Sequence, residues 1–321
     1  MKWGILGLGR IAAQFAQDLQ LVDNAILHAV ASRTEAKSKS FASAHDAEKY
    51  YDSYHDLLAD QEVDIVYIAT PHNAHMEWAI KAMEAGKHVL CEKPLAVNRQ
   101  QVQSMIEASQ ANNVFMMEAF WTRFNPSVRE IILRVKDGEL GEVNFINADF
   151  SFPTNASPES RLFNLELAGG SLLDIGVYPL FLAYVLMGMP NEINASAVFH
   201  ETGADEQMSA ILKYDQGIAV TMSGFKSQSD MVARIYGSDG SILIDPHWHQ
   251  TDGYTMIRNN KLSRHVLPPL GKGFTYEIME CHQCLSKGKI ESELWSHKDS
   301  LNLIQITDKI RKKINLHYPF E

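Results

Sequence analysis

Five runs in the first 120 residues, "KWGILGLG", "AILHAVAS", "VDIVYIAT", "KHVLCEKP" and "VFMMEAF", are apolar at consecutive positions. A strand written this way is buried on both faces, and both faces of a sheet are covered when helices lie on each side. The intervening stretches supply those helices. "RIAAQFAQDLQ" has a 3.6-residue period, "TEAKSKSFASAH" and the short "YHDLLAD" follow, "HMEWAIKAMEAG" ends on glycine, and "NRQQVQSMIEASQANN" precedes the fifth run. Strand and helix in alternation predict a doubly wound parallel sheet.

Beyond about residue 121 the pattern changes. "GEVNFINADFSF", "INASAVFHE", "EQMSAILKYD", "GIAVTMSGF", "MVARIYGSDG" and "GSILIDPHW" are short β-rich runs separated by turn residues. Several alternate polar and apolar positions, as a half-exposed antiparallel sheet does. Helices interrupt them at "NPSVREIILRVKDG" and after "AGGSLLDIG", and "DSLNLIQITDKIRKKI" forms a last helix with cations in its final turns. A chain of 321 residues holds roughly two domains. The α/β reading is therefore a dinucleotide-binding Rossmann domain over 1–120 and an α+β domain over 121–321, built on a large, mostly antiparallel open sheet.

Hydrophobic residues make up 45% and charged residues 21% of the chain, the balance of a globular protein with a sizeable core. The net charge of −10 argues against nucleic acid, whose phosphates require a basic face, and against an anionic membrane surface. No apolar run reaches the roughly 18 residues that span a bilayer, and the N-terminal segment lacks a signal core. Three cysteines, Cys91, Cys281 and Cys284, are too few for a disulfide framework and suit a reducing compartment, so a cytoplasmic location is expected.

"GLGRIA" directly follows the first strand. Gly7 permits a tight turn, Gly9 lets the backbone approach a pyrophosphate, Arg10 and Ile11 open a helix whose N-terminus faces the phosphates, and Ala12 lets helix and strand pack. An NAD-specific site has an acid at the end of the second strand to bond the ribose. Here "ASRTEAK" puts Ser32, Arg33 and Lys37 there, a hydroxyl and two cations suited to a 2′-phosphate. NADP is the expected cofactor, with NAD possible.

Ligands of open α/β sheets sit outside the carboxyl ends of the strands. "ATPHNAH" and "CEKP" occupy two such ends, so Lys93 is placed to reach a nicotinamide and a substrate oxygen, with Pro94 fixing the backbone. Further along, Gly169 and Gly170 allow close backbone approach to a ligand. Asp174 and Tyr178 are four apart and share a face on a helix, while Pro179 should end or kink a helix that continues past it.

"GLGRIA", "ATPHNAHMEWAIKAMEAGKHVLCEKPL", "MEAFWTRFNP" and "GGSLLDIGVYPL" together resemble the glucose–fructose oxidoreductase, inositol dehydrogenase and MocA family, and within it the branch of dimeric dihydrodiol dehydrogenases and NADP-dependent xylose dehydrogenases. That resemblance implies that Lys93 is the catalytic lysine and that Glu92 contacts the cofactor or orients the lysine. It implies that Thr70, Pro71, Asn73 and His75 line the cofactor, that Trp121 and Arg123 form a hinge touching it, and that Asp174 and Tyr178 are the catalytic pair of the substrate domain. Much of the family has histidine where this chain has Tyr178, which weakens an inositol-type relay and favours the sugar and dihydrodiol branch.

The expected activity is NADP-dependent hydride transfer at a hydroxyl-bearing carbon of a small polyol, sugar or trans-dihydrodiol. Either Tyr178, aided by a cation such as Lys93, or Lys93 itself takes the hydroxyl proton, and Asp174 binds a second hydroxyl. No metal is required. "CHQC" at 281–284 has no second pair and reads as helix, "HWH" at 247–249 reads as a polar loop, and "HNAH" belongs to the cofactor loop. A homodimer or homotetramer through the exposed sheet face is expected, lined by residues such as Val198, Ile211 and Met222. A non-catalytic NADP-sensing regulator of the same fold is the alternative.

Overall fold

The computed structural model describes residues 1–321, which divide into two compact units: Met1–Trp121 with Leu270–Leu301, and Thr122–Pro269 with Asn302–Glu321. The first unit opens with β1 (Lys2–Leu6), α1 (Arg10–Leu19), β2 (Ile26–Ala31), α2 (Glu35–His45), β3 (Lys49–Tyr51), α3 (Tyr54–Ala59) and β4 (Ile65–Ile68), then α4 (His75–Glu84), β5 (His88–Glu92), α5 (Arg99–Asn112) and β6 (Met116–Ala119). The six strands are all parallel, in the order β3-β2-β1-β4-β5-β6. The order reverses between β1 and β4, so the connections that follow these two strands leave toward opposite faces and a crevice for a ligand forms at their carboxyl ends. The consecutive apolar runs did mark buried strands: every residue of β4 and β6 is buried. The three-residue edge strand β3 was too short to leave a pattern.

The second unit contains α6 (Pro126–Lys136), β7 (Val143–Ser151), α7 (Val177–Met187), β8 (Glu192–Phe199), β9 (Asp205–Lys213), β10 (Ile218–Gly224), β11 (Ala233–Gly237), β12 (Gly240–Ile244), β13 (Gly253–Arg258) and β14 (Lys261–Val266). Its eight strands run β14-β13-β12-β11-β7-β10-β9-β8, with β7 and β10 parallel and every other neighbouring pair antiparallel. The hairpin β13–β14 did not show in the sequence pattern. It turns through Asn259 and Asn260 at φ of +51° and +59°, a two-residue turn that asparagine tolerates, and the polar edge strand β14 lacks alternation.

Alternation along these strands sends Ile146, Ala148, Leu212, Ala219, Ile235 and Ile242 into the core, where α7 is almost entirely buried. Leu165–Met187 is 23 residues long and apolar enough to cross a membrane, contrary to the expectation that no such stretch exists; with 83% of its window buried, it reads as a core segment. On the other face of the sheet, register pairs Leu262 with Ile257, and Tyr236 with Phe145 and Phe145 with Ile218. All five are exposed. Val198 and Ile211 are exposed as well, and Met222 is half-buried.

Where one domain was expected over 121–321, the segment Leu270–Leu301, with α8 (Thr275–Ser286) and the start of α9 (His297–Ile314), groups with the first unit. The reason is a set of buried polar ties that composition does not announce. Asp18 at the end of α1 accepts from the backbone N–H groups of Lys272 and Phe274, each at 2.9 Å. Trp3 Nε1 donates to His282 at 3.1 Å, and the Met116 N–H to the Ile290 carbonyl at 3.0 Å. Leaving such groups unpaired in the interior would cost about 1–3 kcal/mol each, which holds the returning segment in place.

Candidate active site

The turn after β1 is built by two glycines with different tasks. Gly7 has φ of +89°, and a Cβ on it would lie 2.6 Å from the Ala69 carbonyl oxygen, so only glycine lets the β1 and β4 ends approach this closely. Gly9 is exposed, in extended backbone at φ −92° and ψ −169°, and a Cβ there would meet nothing within 4 Å. Its lack of a side chain therefore keeps open space in front of α1. No side chain caps that helix, so the N–H groups of its first turn, from exposed Arg10 and half-buried Ile11 onward, face that space. At the end of β4, the buried Thr70 hydroxyl has no hydrogen-bond partner within the chain. Open space before uncapped N–H donors and an orphaned hydroxyl fit a dinucleotide.

At the end of β2 the three expected residues separate. Ser32 is buried, and its hydroxyl closes a turn on its own chain, donating to the Thr34 carbonyl at 2.7 Å and accepting from the Thr34 N–H at 3.2 Å. Ser32 therefore shapes the turn. Arg33 and Lys37 are exposed, with exposed Glu35, the first residue of α2, between them.

The "EKP" segment is braced from below. Lys93 is half-buried and precedes a cis peptide to Pro94. The buried Glu92 carboxylate accepts from the Tyr67 hydroxyl and from the Lys93 N–H at 3.2 Å. Burial pushes the Glu92 carboxyl above the usual range, opposed by the Lys93 charge and the Tyr67 hydrogen bond. Two residues past Lys93, the Leu95 N–H donates at 2.9 Å to Glu118, which also accepts from Trp295 Nε1 at 2.9 Å and Ser300 Oγ at 2.7 Å.

His75 is wholly buried, with its ring nitrogens 2.9 Å from the Pro94 carbonyl and 2.9 Å from the Thr70 carbonyl. Burial lowers its pKa, and the hydrogen bonds to the Pro94 and Thr70 carbonyls oppose that shift. Expected as a cofactor-lining residue, it joins the two loops from behind while exposed Pro71 and half-buried Asn73 lie at the surface. Trp121 stacks on Phe274 at 4.9 Å, so the side chain of the expected hinge rests on the returning segment.

In the second unit, Asp174 and Tyr178 do not sit on one continuous α-helix. Leu172–Gly176 is a π-helical turn that leads into α7, a local widening of the kind found where function demands an unusual register. Pro179 neither ends nor breaks the helix: it stands just after the π-helical turn, and α7 runs on past it to Met187. Asp174 is buried, with Arg161 Nη1 at 3.0 Å. The Tyr178 ring, also buried, lies 5.5 Å from Phe150 and 5.3 Å from His249, which stack on each other at 4.1 Å. Arg123 is buried in this unit too.

His249 is the residue that sequence reasoning passed over. It belongs to "HWH", read as a polar loop, yet it and Trp248 are buried. Trp248 Nε1 donates to the Asp149 carbonyl at 2.8 Å, and the His249 carbonyl accepts from Thr122 at 2.7 Å. The available signal was a tryptophan between two histidines just after a strand, an odd composition for a solvated loop. Cys281 and Cys284 are free and buried; burial pushes the Cys284 thiol up to about 12, so the pair is inert at neutral pH.

The glycines give a direct test. Gly9→Ala should fold with under about 1 kcal/mol lost, yet bind nucleotide at least about tenfold more weakly, because the methyl enters the open space before α1. Gly7→Ala should lose on the order of 3 kcal/mol of stability through its clash and positive φ. Thermal melts and fluorescence titration with NADPH separate the two effects, and wild-type affinity in Gly9→Ala would dismiss the assignment.

Comparison with known proteins agrees with this arrangement. Residues 1–120 match the model of an oxidoreductase family with an NAD-binding Rossmann fold, and residues 128–243 match the GFO/IDH/MocA C-terminal domain. The trans-1,2-dihydrobenzene-1,2-diol dehydrogenase of Xenopus laevis is 37% identical over 99% of both chains. Its Homo sapiens counterpart is 32% identical over 99% of this chain and 98% of its own. Among solved structures, the aldose-aldose oxidoreductase from Caulobacter crescentus, complexed with glycerol, superposes with a TM-score of 0.89 at 26% identity, covering 98% of this chain and 97% of that one. A 3-ketoreductase from Actinomadura kijaniata, in complex with NADP and TDP-benzene, gives 0.88 at 25% identity and 98% of both chains. Two matched domains in order and full-length identity above 30% lead to one conclusion: this chain belongs to the Gfo/Idh/MocA family of oxidoreductases.

Proposed function

We propose that this protein is an NADP-preferring dehydrogenase of small polyols, sugars or trans-dihydrodiols, with turnover at a carbon bearing a hydroxyl. The observation that carries the reading is the setting of Lys93. The cation projects from a loop braced by Glu92, Glu118 and His75, at the same strand ends as the open glycine turn. A loop held this firmly offers a fixed charge to a substrate oxygen, and a fixed charge stabilises a developing alkoxide without reorganising. The diol dehydrogenases at up to 37% identity and the 3-ketoreductase crystallised with NADP support the substrate class and the cofactor.

When bound, the nicotinamide exchanges a hydride with the substrate carbon. Tyr178 handles the hydroxyl proton, and Phe150 and His249 pack beside its ring. Lys93 supplies a positive charge that offsets the charge developing on the substrate oxygen. Asp174, steadied by Arg161, accepts from a neighbouring hydroxyl. Three free, buried thiols suit a cytoplasmic location.

Turnover should be highest with D-xylose, D-glucose or a cyclic trans-diol and at least about 10⁴-fold lower in kcat/KM with a mono-alcohol, which leaves the Asp174 carboxylate unpaired. Lys93→Met and Tyr178→Phe should each lower kcat about 10²–10⁴-fold while NADP binding stays near wild type. Tight NADP binding with no turnover of any compound would instead identify a regulator.

For the cofactor, Arg33→Ala should weaken NADP binding by on the order of 1–3 kcal/mol and leave NAD nearly unchanged. Equal wild-type affinity for the two cofactors in a fluorescence titration would sink the preference.

The apolar rows on the open sheet face support a homodimer or homotetramer formed there. Light scattering at micromolar concentration should give an oligomer, and Phe145→Lys with Ile211→Asp should dissociate it. A monomeric wild type would refute this assembly.

A further inference from the structure

A buried carboxylate lies at the start of the segment that carries Asp174 and Tyr178. Asp205, the first residue of β9, has no solvent exposure. Its Oδ2 accepts from the Ser171 hydroxyl at 2.8 Å and the Leu172 N–H at 2.7 Å, where the π-helical turn begins. Ser171 is held in turn by Ser223 on β10, with 2.9 Å between the hydroxyl oxygens. The second oxygen, Oδ1, has no hydrogen-bond partner. Gly170 approaches so closely, at φ of +131°, that a Cβ there would lie 2.0 Å from it. A neutral amide or hydroxyl would serve as a mere structural acceptor. A fully buried carboxyl with one oxygen unpaired within the chain is costly, and such groups concentrate where function requires them.

We infer that Asp205 is a positioning residue: its Oδ2 fixes the start of the π-helical turn and, through that turn, the orientation of Asp174 and Tyr178, with a grip that depends on whether the carboxyl is ionised. The inference rests on the dehydrogenase reading of Asp174 and Tyr178. Burial pushes the Asp205 carboxyl up to about 7, opposed by the Ser171 and Leu172 hydrogen bonds. From the turn, Ser171 and Leu172 face it as donors, and Ser223 on β10 acts through Ser171. From the segment after α9, the buried Tyr318 phenol is raised by burial and by the Asp205 charge. Arg311 lies 4.4 Å over the Tyr318 ring, its charge paired with Glu321.

A charged acceptor makes the stronger hydrogen bond, so the grip on Leu172 tightens as the pH rises through neutrality. Stability moves the other way. The folded value, about 7, lies above the ordinary 3.8, so this group's contribution to stability is fully present below about pH 3.8 and is lost as the pH rises through about 7.

Asp205→Asn keeps an acceptor for Leu172 and cannot ionise, whereas Asp205→Ala removes the acceptor. In the full chain, hydrogen exchange at the Leu172 amide should be at least about tenfold faster in Asp205→Ala and near wild type in Asp205→Asn. With a responding substrate, kcat should fall about 10²-fold in Asp205→Ala and stay within about threefold of wild type in Asp205→Asn, with NADP binding unchanged in both. The rise of kcat through neutral pH should vanish in Asp205→Asn, and the wild-type melting temperature should fall relative to this variant between about pH 4 and pH 7. Unchanged Leu172 exchange in Asp205→Ala, or an Asp205→Asn pH profile that superposes on wild type, would overturn the inference. If Asp205→Ala does not fold, the Asp205→Asn profiles decide. If the wild type turns over no substrate, the dehydrogenase reading has failed, and exchange and melting still decide whether Asp205 grips the turn.

Discussion

The Glu118 carboxylate, buried at the end of β6, accepts from the Leu95 N–H, Trp295 Nε1 and Ser300 Oγ. Leu95 lies two residues beyond Lys93, and Trp295 and Ser300 belong to the segment that returns to the first unit, so one charge ties the lysine loop to chain some 200 residues away. Burial alone pushes this carboxyl up, and its three donors and the Lys93 charge pull it back. A buried anion is tolerable when donors satisfy its oxygens, and removing any donor leaves part of that charge bare. The geometry of the loop therefore depends on the returning segment, although the two share no pattern in the sequence.

The same device recurs at each place where a candidate catalytic side chain leaves a regular element. Glu92 lies under Lys93, held by Tyr67, whose ring is stacked 3.7 Å from Phe15 in the core. Asp205 lies under the start of the π-helical turn. A buried acid that accepts backbone N–H groups orients a turn more strictly than apolar packing does, because hydrogen bonds have direction and dispersion contacts do not. Glu277 stands outside this pattern: fully buried, with neither oxygen hydrogen-bonded within the chain, it is raised well above the usual range by burial and by the charges of Glu92 and Asp18.

The two sheets divide the work according to their burial. The parallel sheet is covered on both faces, so its chemistry can emerge only at strand ends, where Gly7, Thr70 and Lys93 lie. The second sheet packs α7 on one face and leaves Leu262, Ile257, Tyr236, Phe145 and Ile218 exposed on the other, a row interrupted on β12 by Ser241. An antiparallel sheet of this size can expose one face to water, and these exposed apolar positions are the ones the proposed oligomer would cover.

The sequence by itself determined the elements whose signal is local. Consecutive apolar runs meant strands buried on both faces, "GLGRIA" meant a turn that only glycine can make, and the four motifs together carried the family and the strand ends where its residues lie. Short range is the physical reason: a strand's burial pattern and a glycine's positive φ are properties of neighbouring residues. Tertiary structure decided the rest, because it turned on pairings between distant residues. Asp18 with Lys272 and Phe274, and Glu118 with Trp295, moved residues 270–301 into the first unit. His75 proved to be a brace between two carbonyls, and Asp174 a member of a π-helical turn whose start is held by Asp205. His249, read as part of a polar loop, lies against Tyr178. Each outcome was set by which buried polar group found which partner, and the spacing of residues along a chain carries no record of that choice.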